Sequence, residues 1–393
     1  MPVDSEVRPD FARAAAAEHA AVRAGAAPRV RALFAPDFGK GNPYQSNLAG
    51  ALSARGIEVV SRGYGRVFPL LGAMKRHGRP PILHLHWTQT FLTRGGRRSV
   101  PWSCLLATRF FLELALLKLR GVKLVWTVHN LYDHERRVPV ERTVNRLLYR
   151  LVDQVIVLCD TARQTVHDAW GIKESLAGKT NVVLHGNYID SYPGDVDRVQ
   201  SRRELGIGAD EVLFLFVGAI RGYKGVEDLI RAFRNLGAVH ARLIVAGRPK
   251  TEAVQQAIAR LAEGDDRIRL ELRWVPEREV RVLLEAADAV VVPYRDTLGA
   301  GSPLLATSFG KAIVSSRVGC IPEIVDEANA ELLYDAADPD GLARALDRAL
   351  AIDLHAIGRR NRRRAEVTFA WEKIGKDTEA VYQRALGQDI RPR

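Results

Sequence analysis

The 393-residue chain reads as an α/β protein made of two doubly wound domains in series. Three observations predict this class. Short β-branched runs alternate with helical stretches along the whole chain, the pattern of a parallel sheet covered on both faces. The glycine-containing loops follow the apolar runs, where open α/β sheets hold their ligands. The length also exceeds one ordinary domain, and 47% hydrophobic residues suffice for two cores.

The elements follow in order. Residues 1–27 lack a continuous apolar core, so they are read as a loose arm and not a secretory signal. A first series, residues 28–200, opens with the strand "VRALFAPD", the turn "FGKGNPYQ" and the helix "SNLAGALSARG". "IEVVSRG", "PILHLHW", "KLVWTVHN", "LVDQVIVLCD" and "TNVVLHGNY" are its further strands. The stretch Ser191–Asp210 is polar and turn-rich and reads as a linker. A second series, residues 208–372, contains "EVLFLFVGAI", "ARLIVAG", "IRLELRWV", "DAVVVPY" and "KAIVSSRVG" as strands with helices between them. Residues 373–393 carry an amphipathic helix with no strand after it.

Fifty-eight Lys and Arg against 46 Asp and Glu give a net charge of +12, suited to nucleic acid, anionic lipid or phosphorylated substrates. No zinc-finger, RNA-recognition or basic-zipper pattern supports nucleic acid. Cys104, Cys159 and Cys320 are far apart in sequence and lack metal spacing, which suggests a reducing compartment, the cytosol. Val100–Gly121 is the most apolar helical stretch. Arg109, Glu113 and Lys118 interrupt it, so it reads as a core helix or a membrane-surface element and not as a span.

Two loops have the chemistry of phosphate sites. In "FVGAIRGYKGVEDLI" a buried strand ends at Gly218, and Arg221 and Lys224 precede a helix starting near Gly225. Cations beside a helix N-terminus make a pyrophosphate clamp. In "DTLGAGSPLLATSFGK" Gly299 and Gly301 permit close backbone approach, and Ser302-Pro303 reads as a cap and first helical residue. The amides near Leu304 and Leu305 would then point at an anion. In the first series, Asp37, Gly41, Asn42, Tyr44 and Gln45 lie in a strand-to-helix loop. His84 and His129 end strands, and His134 and Glu135 follow. No H-E-x-x-H or Cys/His spacing is present, so His129, His134 and Glu135 read as a polar rim around a sugar, His84 reads as structural, and no metal is expected.

Taken together, "FVGAIRGYKGVEDLIRAF", "DAVVVPY", "SPLLATSFGKAIVSSRVGCIPEIV" and "FAWEKI" resemble the nucleotide-sugar glycosyltransferases of the two-Rossmann, B-type fold, in the branch of glycogen synthase and bacterial mannosyltransferases. "NPYQSNLAGALSARGIEV", "LHLHW", "TVHNLYDHE" and "LHGNYIDSYP" are similar to the first domain of polysaccharide-biosynthesis members. The resemblance implies two domains facing each other across a cleft, with the last helix crossing back to the first. It implies a sugar donor linked to UDP or GDP, a saccharide or lipid-linked acceptor, and metal-free transfer. Arg221, Lys224 and the backbone from Gly301 to Leu305 would hold the donor diphosphate and sugar, with Gly218, Arg248, Thr297, Ser302, Pro303 and Leu304 beside them. His129 would contact the donor sugar; Gly41, Asn42, Tyr44 and His185 would border the acceptor.

The sequence departs from that family in two places. Ala219 follows Gly218 where many relatives have Arg, so Arg221 is expected to supply that cation. Many relatives also carry two glutamates in the opening of the second loop. Aligned on Gly310-Lys311, those places hold Thr297 and Leu305, and there is no carboxylate between Asp296 and Glu323. The resemblance leans towards retention, which needs no strong base; the missing glutamates make that lean slight, and inversion stays open. Inversion requires a base, for which Asp37 is the first candidate, followed by Asp133, His129 and Glu135. A nucleotide-sugar epimerase on the same fold and a non-catalytic basic surface-binding protein are the alternatives. The enzyme is expected in the cytoplasm, peripheral on the inner membrane face.

Overall fold

The computed structural model describes residues 30–37, 43–61, 67–92, 99–132, 140–299 and 301–388. The N-terminal arm, Gly41, Asn42, Asp133, His134 and Glu135 lie outside the described residues. The chain divides into two compact units. The first runs through Val157, resumes over His167–Gly186 and takes the segment from Trp371; the second holds Leu158–Val166 and Asn187–Ala370.

The first unit is built on a six-stranded parallel sheet. Its strands are β1 (Val30–Ala35), β2 (Ile57–Val60), β3 (Ile82–Leu85), β4 (Lys123–Thr127), β5 (Gln154–Val157) and β6 (Thr180–Val182), in the order β2-β1-β3-β4-β5-β6. The helices along this part of the chain are α1 (Pro43–Ser53), α2 (Pro69–Arg76), α3 (Val100–Leu119), α4 (Glu141–Leu151), α5 (Asp160–Trp170) and α6 (Glu174–Ala177). Strand order reverses between β1 and β3, so the crevice where such sheets hold ligands lies beyond Ala35 and Leu85. The central strands are buried from end to end because helices cover both faces.

The second unit repeats the plan. Its strands are β7 (Val212–Val217), β8 (Ala241–Ala246), β9 (Ile268–Glu271), β10 (Ala289–Val292), β11 (Ala312–Ser316) and β12 (Leu333–Tyr334), in the order β12-β11-β10-β7-β8-β9. Its helices are α7 (Arg198–Leu205), α8 (Val226–Arg234), α9 (Glu252–Ala262), α10 (Glu277–Ala286), α11 (Gly301–Ser308), α12 (Ile321–Ile324), α13 (Gly341–Leu350) and α14 (Leu354–Val367). The reversal here falls between β7 and β10, which puts the crevice beyond Val217 and Val292.

The last helix, α15 (Trp371–Leu386), belongs to the first unit and lies against α1. Ile374, Val381 and Tyr382 join Phe34, Tyr44, Leu48 and Leu52 in one buried core. Gly375 lets the two backbones meet, since a Cβ there would stand 3.0 Å from the Ala51 carbonyl oxygen. Each fully buried Leu or Ile in this seam contributes roughly 1.5–3 kcal/mol.

Two expectations are corrected. The stretch Ser191–Asp210 is not a free linker. Asp197 caps α7 by accepting from the Gln200 amide (2.8 Å), and Arg198 and Arg202 bind the Asp288 carboxylate at 2.6 and 3.1 Å. Polar residues read as solvated are here an anchored helix. Cys159 and Cys320 form a disulfide within the second unit (Cα–Cα 5.7 Å), while Cys104 is an exposed thiol. Distance along the chain had hidden that pairing, and the cysteines no longer argue for a reducing compartment.

Candidate active site

Each unit carries a cluster at its strand-order reversal. In the second unit the loop after β7 turns at Gly218, whose φ of 134° suits glycine. A Cβ on Gly218 would stand 3.5 Å from Lys224 Nζ and 3.8 Å from Ser302 Oγ, so three predicted donor residues converge on one small space. The Lys224 ammonium lies 5.2 Å from the Tyr294 ring centroid, and the Tyr294 hydroxyl donates to Ser302 Oγ (2.9 Å). Burial opposes the charge on Lys224, yet Tyr294 and Tyr223 outweigh it, and its pKa is raised. The lysine is thus a positive charge held in place.

Arg221 is tied into the loop that carries Lys224. Its guanidinium donates to the carbonyls of Ile220 (2.9 Å) and Arg248 (3.3 Å), which fixes the loop after β7 to the loop after β8. Arg248 itself is exposed at that edge. Ser302 differs from the reading as a cap, because it lies within the first turn of α11. Pro303, Leu304 and Leu305 are buried; Gly301 stays exposed at the start of the helix. The first amides of a helix have no partner within it, so the start of α11 favours an anion.

The missing glutamates now have a physical counterpart. Leu305 is 8% exposed and Thr297 7%, and the Thr297 hydroxyl donates back to the Gly299 carbonyl (2.8 Å). Leu305 offers no hydrogen-bonding group, and neither place holds a carboxylate. The next carboxylate, Glu323, accepts from the amides of Asp160 (3.0 Å) and Thr161 (2.8 Å) at the start of α5. Burial would raise its pKa, but those hydrogen bonds hold it below the usual value. It is a helix cap.

In the first unit the cluster is aromatic and imidazole-rich. His86 Nδ1 and His129 Nε2 share a hydrogen bond at 3.2 Å, and Trp87 stacks on His129 with centroids 4.1 Å apart. The Tyr44 ring meets His129 edge-on at 5.0 Å and His185 at 4.6 Å, with Trp371 5.9 Å away. His185 Nδ1 donates to the Gly186 carbonyl (2.7 Å). Burial keeps these rings neutral. The pKa falls to about 4 for His185, and well below normal for His86 and His129, where neighbouring histidines add to the effect. Burial raises the Tyr44 pKa far above its usual value.

His84 stands apart as a structural residue. Its nitrogens lie 2.8 Å from the Tyr382 hydroxyl and 2.7 Å from Thr127 Oγ1, and burial lowers its pKa to about 3. Asp37 is half-buried just beyond β1, two residues after Ala35. Pro36 is fixed in turn by the Gln45 amide, which donates to its carbonyl (2.8 Å). Sequence reasoning did not nominate His86, Trp87, Tyr294 or Trp371. For three of them the signal was present, since "LHLHW" and "VVVPY" place aromatic and imidazole groups directly after buried strands.

A half-buried lysine, a glycine turn and a helix start make one cluster an anion cradle; neutral imidazoles among aromatic rings make the other suited to a sugar. Both lie at the strand reversals of doubly wound sheets, and together they define a two-domain nucleotide-sugar transferase. The family model described as "Glycosyl transferases group 1" matches residues 197–365, and "Glycosyltransferase Family 4" matches residues 47–186. The chain belongs to these B-type-fold glycosyltransferases.

Among curated proteins it is 29% identical over 380 residues to the GDP-mannose:glycolipid 4-beta-D-mannosyltransferase of Xanthomonas campestris pv. campestris, covering 93% of this chain and 96% of that one. It is 28% identical to the D-inositol 3-phosphate glycosyltransferase of Corynebacterium glutamicum over 67% of this chain and 65% of the relative. Among solved structures, sucrose-phosphate synthase of Thermosynechococcus elongatus has a TM-score of 0.71 at 19% identity, covering 91% of this chain and 99% of that one. Anabaena HepE, solved with UDP-glucose, has a TM-score of 0.67 at 16% identity, with coverages of 90% and 100%. The relatives are transferases, so the epimerase alternative is not favoured.

Proposed function

We propose that this enzyme transfers mannose from GDP-mannose to a lipid-linked saccharide, with inversion and without a metal ion. The donor and acceptor rest on the Xanthomonas relative, whose name specifies GDP-mannose, a glycolipid and a β-linkage, and which matches this chain over nearly its full length. The observation that carries the chemistry is the convergence of Gly218, Lys224 and Ser302 at the start of α11.

In this reading the bond between the sugar C1 and the donor phosphate breaks while the acceptor oxygen bonds to C1 from the opposite face. Charge grows on the leaving diphosphate, and Lys224 and the α11 amides stabilise it; Arg221 holds the loop that carries Lys224. Two fixed positive sources of this kind fulfil the role a divalent ion would otherwise have. The acceptor hydroxyl loses its proton to Asp37, since inversion requires a base and the buried histidines stay neutral with depressed basicity. His129 and Tyr44 contact the sugars, and His185 supports Tyr44.

A charged nucleotide sugar does not cross a bilayer, which supports action on the cytoplasmic face. The test is the product: transfer from GDP-mannose to a synthetic lipid-diphosphate saccharide, with the anomeric carbon read by NMR. A β-mannoside supports the proposal. An α-mannoside overturns inversion, and turnover with UDP-glucose alone overturns the donor.

A further inference from the structure

The chemistry above leaves one surface unused. Helix α3 buries Leu106, Phe110, Glu113, Leu114 and Leu117 within the first unit. Its opposite side exposes Leu105 (57%), Leu112 (49%) and Leu119 (84%), each seven residues apart and therefore on one stripe. The helix is long and apolar enough to cross a bilayer, with a mean hydropathy of 1.5, but its buried face commits it to lie on its own unit. Beside it, Val67 and Phe68 are exposed where α2 begins. Glu113 fixes that neighbour by accepting from the amides of Leu70 (2.9 Å) and Leu71 (3.1 Å).

The charge along this stretch of the sequence has one sign. Between Glu58 and Glu113 the sequence has nine Lys and Arg and no Asp or Glu. Glu113 is fully buried and, among the described residues, pairs with Arg109 alone (4.0 Å), so it leaves the exposed cations unpaired by it. Lys75, Arg76 and Arg79 stand exposed at the end of α2. Exposed leucines beside Lys75, Arg76 and Arg79, with the nearby carboxylates Glu58 and Asp153 each neutralised in an ion pair with Arg31 and Lys118, match an anionic lipid interface: apolar groups enter the acyl boundary and cations meet phosphates.

We propose that the α2–α3 surface docks the enzyme on an anionic bilayer. This deepens the reading of a lipid-linked acceptor, and rests on it for its purpose but not for its evidence. The test is co-sedimentation of the full chain with phosphatidylcholine vesicles, with and without phosphatidylglycerol. Binding is expected to require phosphatidylglycerol and to weaken at about 1 M salt, where the Debye length is about 3 Å. Lys75→Gln with Arg76→Gln should weaken it by roughly fivefold per cation. Leu105→Glu with Leu112→Glu, both at exposed sites, should abolish it while donor hydrolysis in vesicle-free solution stays unchanged.

Three results would overturn docking: equal binding to both vesicle types, no effect of either variant, or binding that appears only after residues 1–29 are removed. A fourth is that the leucine variant dissociates a dimer and leaves vesicle binding intact, since a second copy would then be the occupant. Loss of donor hydrolysis in the wild type would count against the transferase reading and not against docking.

Discussion

Lys224 sits 5.2 Å from the centroid of the Tyr294 ring, and the same tyrosine donates to Ser302 at the start of α11. One aromatic side chain thus holds the cation and the helix that form the two sides of the anion cradle.

Removing the cation should therefore cost catalysis more than folding. Lys224→Ala is expected to lower kcat/KM by about 10²–10³-fold, the scale for loss of one preorganised charge. Tyr294→Phe keeps the ring and loses the hydroxyl's bonds to Ser302 and Lys224, so its effect should stay smaller than that of Lys224→Ala, within about tenfold. Steady-state kinetics on both variants, with circular dichroism for folding, checks the difference.

Arg221→Ala tests a different role. Its guanidinium holds the carbonyls of Ile220 and Arg248, so its loss should loosen the loop. KM for the donor is expected to rise with a smaller change in kcat than Lys224→Ala produces. A kcat loss equal to that of Lys224→Ala would make Arg221 a direct ligand of the diphosphate.

Acid should destabilise the protein before it titrates the site. His84 and His185 have folded pKa values of about 3 and about 4, below the usual 6.5. Their contribution is complete above about pH 6.5 and is lost as pH falls, because the unfolded chain then binds protons the native state refuses. Glu323, held below its usual value, adds loss in the same direction at lower pH. Urea midpoints should fall steadily from about pH 6.5 to pH 4, and the pH–rate profile should show no ascending limb from His129.

Gly186 is required by close approach. A Cβ there would stand 2.3 Å from the Trp371 ring, the first residue of α15. Gly186→Ala should cost about 1–3 kcal/mol through overpacking. The pair Gly186→Ala with Trp371→Ala should cost less than the two single changes together, measured by chemical denaturation.

Much of this was legible in the sequence, and the misses have physical causes. Alternating apolar runs and post-strand glycines located both sheets and the loops at Gly218 and Gly301, because backbone period and turn chemistry are local. The roles within a loop were less legible. Arg221 and Lys224 are three residues apart and equally charged; only the fold shows that one grips carbonyls and the other faces the cradle. Cys159 and Cys320 could not be paired across 161 residues by spacing alone. Glu323 looked like the carboxylate that ended an acid-free loop, and its commitment to the start of α5 is a tertiary fact. Trp371 stands in the motif "FAWEKI", but its contact with Gly186 joins two distant segments and had no local signal.

The central claim is that the Lys224 cradle holds a nucleoside diphosphate. Thermal unfolding of the wild type and of Lys224→Ala with GDP and with UDP tests it most directly. At about 100 times Kd a ligand adds about 2.7 kcal/mol, so GDP should raise the wild-type Tm by several degrees and leave Lys224→Ala nearly unmoved. If neither nucleotide shifts the wild type, or if both proteins shift alike, the cradle is not the diphosphate site.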